Sequence, residues 1–215
     1  MTNEKSNKSN REKTRELTMM AMFIAIIALL GLVPSGWGAS TIGFIKIAPD
    51  LEATIIHIPV LIGAALFGRK MGFWLGTAFG IVSMIAAFIY SSPFFIYPWV
   101  SVLPRIIFGL IIFDVVKFFQ RFIKNRHLAY GISFLILTLI HTILVLSMFW
   151  TSFALVNHFT LKEAFIPYLE ALVLWGIPIS APAEAILAGL VGASVTTRLK
   201  ESLVRNKSLQ TEEKE

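Results

Sequence analysis

The sequence predicts an all-α fold, a polytopic membrane protein with six transmembrane helices and both termini in the cytoplasm (N-in/C-in). Hydrophobic residues make up 56% of the 215 residues and charged residues only 15%, whereas about a quarter of an average soluble domain is charged. The apolar residues form long blocks, and the basic residues gather at every second connection between the blocks. A soluble core could not bury this much apolar surface, so these observations exclude a soluble protein.

The apolar blocks have the length that a bilayer requires. A hydrocarbon core of roughly 30 Å needs about 20 helical residues. The candidate spans are Leu17–Val33, Leu51–Phe67, Gly72–Tyr90, Trp99–Phe119, Leu128–Phe149 and Leu169–Val195. The first follows a polar segment and has no small-residue cleavage site after it, so we interpret it as a retained helix and not as a signal peptide.

The basic residues set the predicted orientation. Sixteen of the nineteen lie in the two terminal tails or in the second and fourth connections, while the other connections hold only Lys46 and Lys162. Basic residues concentrate on the cytoplasmic side of membrane proteins, so both termini are expected there. The net charge of +6 is therefore explained by topology, and no nucleic-acid partner is expected. The polar tails, residues 1–14 and 201–215, are predicted to be disordered, which leaves 15–200 as the membrane domain.

Two outer loops contain features beyond simple connections. Residues 34–50 include Trp37 and an alternating run, Ile42-Gly-Phe-Ile-Lys-Ile47, that resembles a short strand. Residues 91–98 are uncharged and include three aromatic residues. An aromatic belt at the membrane interface and a lid over a pocket are both consistent with these loops. The sequence thus predicts a structured outer loop between helices 1 and 2.

Small residues at every fourth position predict where helices make close contact. They occur on three spans, as Gly72, Gly76 and Gly80; as Ala181, Ala185, Gly189 and Ala193; and as Ala21 and Ala25. We interpret the first two sets as internal packing. The pair on the first span fits either internal packing or docking of an external helix.

Three ionisable residues lie within predicted spans, where such residues are costly and usually functional. They are Arg105, His141 and Glu184. The planar guanidinium of Arg105 matches a carboxylate or phosphate ligand, but an internal ion pair with Glu184 is equally open. His141 is consistent with either a ligand contact or a packed histidine.

Further polar and aromatic residues have less specific explanations. Asp114, deeper in the fourth span, is interpreted as structural, and His57, before a kink expected at Pro59, as a packed histidine. Four tryptophans, Trp37, Trp99, Trp150 and Trp175, fall in or near the outer half. They fit an interfacial belt or the lining of an apolar pocket.

The sequence offers little for an enzyme. It contains no cysteine, and no phosphate-binding loop, paired carboxylate motif or metal-ligand spacing is found. Ser133 and His141 are eight residues apart on one predicted helix, a rise of about 12 Å, so they cannot form a catalytic pair. An intramembrane hydrolase that uses His141 or Glu184, and a purely structural membrane protein, remain as alternatives.

Several segments in order resemble the substrate-binding S-components of energy-coupling factor (ECF) vitamin transporters. The resemblance extends from residue 15 to about 195 and rests on Arg15-Glu-Leu-Thr-Met19, Ala21-Met-Phe-Ile-Ala25, Ile45-Lys-Ile-Ala-Pro49, Ile56-His-Ile-Pro-Val-Leu-Ile-Gly-Ala64, Leu66-Phe-Gly-Arg-Lys-Met-Gly72, Gly76-Thr-Ala-Phe-Gly-Ile-Val-Ser83, Ser92-Pro-Phe94 and Leu103-Pro-Arg105.

This resemblance implies a subunit of the bacterial cell membrane that binds one vitamin from outside and has no ATPase activity of its own. Its partners would be a transmembrane T-component and two ABC-type ATPases, with no cofactor or metal. The helix-one docking motif of the family maps to Ala21 and Ala25. The family's vitamin site maps to the loop between helices 1 and 2 and to helices 4–6, where the candidate residues are Trp37, Lys46, Trp99, Arg105, His141, Asn157, Trp175 and Glu184.

The substrate is suggested by two short segments. Ser92-Pro-Phe94 and Leu103-Pro-Arg105 are most similar to the pantothenate-specific branch of the family. In that interpretation Arg105 receives the pantothenate carboxylate. Riboflavin, folate and hydroxymethylpyrimidine remain alternatives.

Overall fold

The computed structural model describes most of the chain. The described residues are 2–36, 41–48, 51–90, 94–158, 160, 162–163, 165–170 and 181–212. Of these, residues 2–9, 11, 45–48, 51–52, 167–168 and 206–212 are described by their backbone alone.

The described part is mostly helical, as the sequence predicts. The helices are α1 (Thr2–Leu32), α2 (His57–Phe67), α3 (Arg69–Tyr90), α4 (Pro98–Ser101), α5 (Leu103–Phe122), α6 (Arg126–Val156), α7 (Phe165–Glu170), α8 (Ala181–Leu187) and α9 (Ala193–Glu212), and a π-helical turn, Ala188–Gly192, joins α8 to α9. Two strands, β1 (Phe44–Ala48) and β2 (Leu51–Thr54), lie between α1 and α2.

The two strands form an antiparallel hairpin. Phe44 lies opposite Thr54 and Lys46 opposite Glu52, with a register shift between Lys46 and Ala48. The alternating run in the sequence therefore corresponds to a strand, and the prediction of a structured loop between the first two helices is confirmed.

Four helical segments among the described residues are long and apolar enough to cross a membrane. They are Glu12–Leu32, Arg69–Tyr90, Pro98–Phe122 and Arg126–Val156. The predicted sixth span, Leu169–Val195, is described only in part, because residues 171–180 lie outside the described residues. The count of six crossings therefore stays a prediction.

The predicted second span, Leu51–Phe67, is wrong in its first part. Leu51–Thr54 is strand β2, and helix α2 has only 11 residues, about 16 Å at 1.5 Å per residue. The prediction failed because an apolar run has the same composition whether it is a strand or a helix. The kink expected at Pro59 is also wrong, since Pro59 lies in the first turn of α2, where its missing N–H breaks no helical hydrogen bond.

Helix α2 is the buried centre of the described bundle. Every residue from His57 to Ala65 is buried, and the helix is apolar on all sides, as a helix surrounded by others must be. Side chains of α1, α3, α5 and α6 belong to the same buried cluster, including Ile27, Phe79, Phe108 and Phe134. The first residue of α2, His57, is thereby held inside the bundle.

The polar tails continue the terminal helices. Residues 2–14 belong to α1 and residues 201–212 to α9. In the N-terminal tail, the described side chains are exposed. Helix bounds alone do not measure the stability of these ends, so disorder of the tails stays a prediction.

The glycine ridge of α3 packs directly on α5. A Cβ atom at Gly72 would overlap the carbonyl oxygen of Gly109, and one at Gly76 would overlap the carbonyl oxygen of Arg105. The prediction of internal packing for this ridge is confirmed. The small residues Ala181, Ala185 and Ala193 are also buried, which confirms the same interpretation for the ridge on the last helices.

We expect Gly76→Ala to lower the thermal unfolding midpoint of the purified protein, because the new methyl group would push against backbone that cannot rotate away. Overpacking of this kind costs about 1–3 kcal/mol. Gly131→Ala is the matched control, since its Cβ would lie 3.6 Å from the Gly189 carbonyl oxygen, an ordinary contact. Equal midpoints for the two variants would contradict the proposed close approach of α3 and α5.

Candidate functional site

Arg105 is buried at the start of α5. Its side chain is only 3% exposed, and its Nη1 atom donates a hydrogen bond to the Val100 carbonyl oxygen at 2.5 Å. Its Nε atom has no hydrogen-bond partner among the described residues. Because a guanidinium has five N–H donors, Arg105 has donors available for a further acceptor.

Aromatic rings surround this guanidinium. Its central carbon lies 5.4 Å from the ring centroid of Phe79 and 5.6 Å from that of Phe95. Such contacts stabilise a cation electrostatically but accept no strong hydrogen bond. They hold the guanidinium in position without using its N–H donors.

The segment before α5 is tied to α6. The indole Nε1 of Trp99 donates a hydrogen bond to Ser152 Oγ at 2.8 Å, and Ser101 Oγ donates to the Phe95 carbonyl oxygen. Helix α4 ends at Ser101 and α5 begins at Leu103, so the predicted fourth span is interrupted near Arg105. Because Pro104 has no N–H to donate to the Val100 carbonyl oxygen, that oxygen is free to accept from the guanidinium.

His141 and Arg105 both contact the ring of Phe79. His141 is 2% exposed, and neither ring nitrogen has a hydrogen-bond partner among the described residues. Its ring stacks on Phe79 with 5.6 Å between centroids and lies 4.9 Å from Phe108. A buried imidazole without partners is unusual, and each of its nitrogens can exchange a hydrogen bond with a polar ligand.

His57 extends this cluster to α2. Its ring stacks on His141 with 5.7 Å between centroids, and its Nε2 lies 3.1 Å from Thr138 Oγ1. Because the Thr138 hydroxyl donates its proton to the Phe134 carbonyl oxygen at 2.9 Å, the imidazole N–H is the donor to Thr138. The interpretation of His57 as a packed histidine is confirmed. Its ring also packs against the ring of His141, whose nitrogens have no partner among the described residues.

Glu184 connects α8 to the hairpin. It is 7% exposed, and its Oε1 accepts a hydrogen bond from the backbone N–H of Thr54 at 2.8 Å. Arg105 and Glu184 are both described and no salt bridge joins them, so the internal ion pair considered between them is not formed.

The Arg69–Asp114 pair is structural, as predicted for Asp114. Arg69 Nε and Nη2 donate to the two carboxylate oxygens at 2.7 and 2.6 Å. This bidentate pair joins the start of α3 to α5. It lies on the protein surface and is separate from the buried cluster around Arg105.

The structure brings together only part of the predicted site. Arg105 and His141 share the Phe79 ring, whereas Glu184 accepts from the Thr54 backbone and forms no ion pair with Arg105. Trp99 shortly precedes Arg105 in the sequence but is 41% exposed. Asn157 is exposed at the C-terminus of α6, where its side chain donates to the Phe153 carbonyl oxygen.

Other predicted site residues lie outside the described part. Trp37 and Trp175 are among the residues that are not described, and Lys46 is described by its backbone alone. Their roles stay predictions.

Sequence reasoning missed two parts of the site. Phe79 contacts both Arg105 and His141, yet it is one of 18 phenylalanines in the chain. Its position between Gly76 and Gly80 is the only local signal, because those glycines bring α5 close. Thr54 was also missed, since its contribution is a backbone N–H that every non-proline residue carries.

Together these features define a helical protein with apolar segments long enough to cross a membrane and a buried, incompletely hydrogen-bonded polar cluster. The chain belongs to the family described as ECF transporter, substrate-specific component, whose sequence model matches residues 15–195.

Two curated relatives are similar to the chain. The pantothenic acid transporter PanT of Lactococcus lactis subsp. cremoris is 27% identical over 216 residues, which covers 92% of this chain and 99% of that protein. The pantothenate transporter PanT of Leuconostoc mesenteroides subsp. mesenteroides is 30% identical over 138 residues, which covers 59% of this chain and 62% of that protein. The resemblance inferred from the sequence segments is thus confirmed at the level of the family.

Proposed function

We propose that this chain is the high-affinity pantothenate-binding S-component of an ECF-type importer. The observation that carries the proposal is the buried Arg105. Its Nη1 donates to the Val100 carbonyl oxygen, but its Nε has no acceptor among the described residues. Arg105 forms no ion pair with Glu184. A buried charge without a directly paired counter-charge costs several kcal/mol, and a ligand carboxylate would supply that partner in bidentate form. The names of the two curated relatives support pantothenate as the ligand.

The remaining groups of pantothenate have suitable partners in the same cluster. Its hydroxyl and amide groups both donate and accept, and the two ring nitrogens of His141 offer one donor and one acceptor when the ring is neutral. The rings of Phe79, Phe95 and Phe108 supply apolar surface for the methyl and methylene groups. The site would therefore satisfy each part of the ligand.

Competition binding on the purified chain tests the proposed ligand. Labelled pantothenate should bind at sub-micromolar concentration, and excess riboflavin, folate or hydroxymethylpyrimidine should not displace it. Tighter binding of one of these three would assign another vitamin. Failure of all four to bind would contradict the vitamin-binding proposal.

The hairpin and the aromatic segment at residues 94–97 are proposed as covers of this site. Phe95 lies over the Arg105 guanidinium, and Phe94 packs edge-on against Phe149 of α6 at 4.9 Å. The hairpin is anchored at Thr54 by Glu184. Trp37, Lys46, Trp99 and Trp175 are proposed to complete the lining.

We expect Glu184→Ala to weaken pantothenate binding about tenfold or more, because the Thr54 N–H loses a charged acceptor, and such hydrogen bonds contribute about 1.5–3 kcal/mol. Glu184→Gln should retain most of the affinity, since its amide oxygen accepts the same bond. Isothermal titration calorimetry measures both, with the exposed Glu12→Ala as control. Equal losses for the alanine and glutamine variants would show that the charge, and not this bond, matters.

The proposed topology has six crossings with both termini in the cytoplasm of a bacterial cell. The distribution of basic residues supports it, including the group at the α5–α6 connection and the group in α9. The proposed partners are a transmembrane T-component and two ABC-type ATPases, which would hydrolyse ATP. The chain itself would contribute binding and no chemistry.

Ala21 and Ala25 are proposed as the docking surface for the T-component. Both are exposed, whereas Phe23 and Ile27 of the same helix enter the buried cluster. The alanines therefore lie on a face of α1 that the described bundle does not cover, and this supports an external partner over internal packing. The exposed Met22 and Leu29 add apolar surface near them.

A further inference from the structure

A cavity with charged and apolar lining residues lies at the N-terminal end of α6, the end opposite Ser152. It has a volume of about 280 Å³ and is lined by Arg126, Tyr130, Thr197, Lys200, Glu201, Val204 and Arg205. Since a water molecule fills roughly 30 Å³ in the liquid, the cavity has room for a polar group much larger than one water.

The charges around this cavity favour an anion. Three basic side chains and one acidic side chain line it, so positive charge is in excess by two. Arg126 is also the first residue of α6, and the first turn of that helix contains no acidic residue. The positive end of the helix dipole therefore adds to the same potential.

Two hydroxyl groups at the cavity have unused hydrogen-bonding capacity. Tyr130 is fully buried and accepts a hydrogen bond from Lys200 Nζ at 3.1 Å, but its own proton has no acceptor among the described residues. Thr197 Oγ1 is buried and has no partner there either. With the ammonium of Lys200, they form a set of donors that suits the oxygens of a phosphate group.

The position of the cavity favours a phosphate that is attached to a lipid. Arg126 begins an apolar segment long enough to cross the membrane, so the cavity lies where headgroups meet the hydrocarbon region. Val204, which is 61% exposed, gives its lining an apolar part. Basic pockets between transmembrane helices at this depth commonly hold anionic headgroups.

We propose that this cavity binds the phosphodiester headgroup of an anionic phospholipid. Lys200, Arg126 and the Tyr130 hydroxyl would donate to the phosphate oxygens, and Val204 would contact the start of the acyl region. The net negative charge of an anionic phospholipid fits an excess of two positive charges better than a zwitterionic headgroup does, because the choline cation of phosphatidylcholine offsets its phosphodiester charge. This site is independent of the vitamin site and of the proposed substrate.

Native mass spectrometry of the full chain in a neutral detergent tests the proposal, with phosphatidylglycerol or phosphatidylcholine added at equal concentration. We expect retention of one phosphatidylglycerol molecule and much weaker retention of phosphatidylcholine. The double variant Arg126→Gln/Lys200→Gln should lower phosphatidylglycerol retention about tenfold or more. Arg121→Gln, which removes an exposed charge at the end of α5 outside the cavity, should leave it unchanged.

Three outcomes would overturn the proposal. Equal retention of the two lipids would show no preference for an anion. If Arg121→Gln lowers phosphatidylglycerol retention as much as Arg126→Gln/Lys200→Gln does, the retention depends on general surface charge and not on this cavity. Full displacement of the lipid by millimolar inorganic phosphate would identify a site for free phosphate.

Tyr130→Phe, which removes one hydroxyl and keeps the ring, should weaken retention of phosphatidylglycerol in a protein with unchanged circular dichroism. If Tyr130→Phe retains the lipid fully, the proposed donor set is wrong.

Discussion

Replacing Arg105 by alanine is expected to weaken pantothenate binding by about 100-fold or more while the protein remains folded. Truncating one partner of a buried, hydrogen-bonded charge pair costs about 2–5 kcal/mol of binding free energy, and each 1.4 kcal/mol is a factor of ten. Arg105→Lys should lose less, because it keeps the charge but not the planar pair of donors. Calorimetric titration of the purified variants measures all three affinities.

The stability of the same variant separates a binding role from a structural one. With no ion pair between Arg105 and Glu184 among the described residues, Arg105→Ala removes a buried charge without stranding a paired carboxylate. The unfolding midpoint of the ligand-free protein should therefore stay the same or rise. Arg69→Ala is the control, because it breaks the exposed Arg69–Asp114 pair and should leave pantothenate affinity unchanged. A large drop in the midpoint for Arg105→Ala would favour a structural role.

Bulky residues at positions 21 and 25 should abolish uptake but spare vitamin binding. Helices that meet through small residues lose their close approach when a side chain is enlarged, and both alanines are exposed on α1. We expect Ala21→Leu/Ala25→Leu to transport almost no pantothenate in proteoliposomes that contain the T-component and both ATPases. Its affinity for pantothenate should match that of the unmodified chain.

The serine pair at these positions is the matched control for the docking surface. Ala21→Ser/Ala25→Ser keeps both side chains small and should retain most of the transport. If the leucine variant still transports at the normal rate, the assignment of this face to the T-component is wrong. If the leucine variant loses binding as well, the alanines contribute to the fold and not to docking.

The sequence was most informative about features that depend on one segment alone, such as the apolar length that a membrane-spanning helix requires. Apolar length predicted spans at Gly72–Tyr90 and Leu128–Phe149, which lie within the observed helices Arg69–Tyr90 and Arg126–Val156, because a bilayer imposes one minimum length on every span. It failed at residues 51–67, where a strand and a short buried helix together have the composition of a span. Helix α2 is buried because other helices surround it, and the composition of a segment does not show which elements will surround it.

In the candidate site, too, single residues could be predicted from the sequence, but their contacts could not. Arg105, His141 and Glu184 were identified because an ionisable residue in an apolar segment is rare and costly. The contacts between them were not predictable. Phe79 joins Arg105 to His141 only because the glycines of α3 allow α5 to approach. Thr54 contributes a backbone N–H that no pattern of side chains reveals.

The affinities of pantothenate and of its alcohol analogue panthenol, measured for the unmodified chain and for Arg105→Ala, test the central claim most directly. Panthenol replaces the carboxylate by a hydroxymethyl group and leaves the rest of the molecule intact. If Arg105 receives the carboxylate, the unmodified chain should prefer pantothenate by about 100-fold or more, and the variant should lose nearly all of that preference. A variant that prefers pantothenate as strongly as the unmodified chain does would contradict the account.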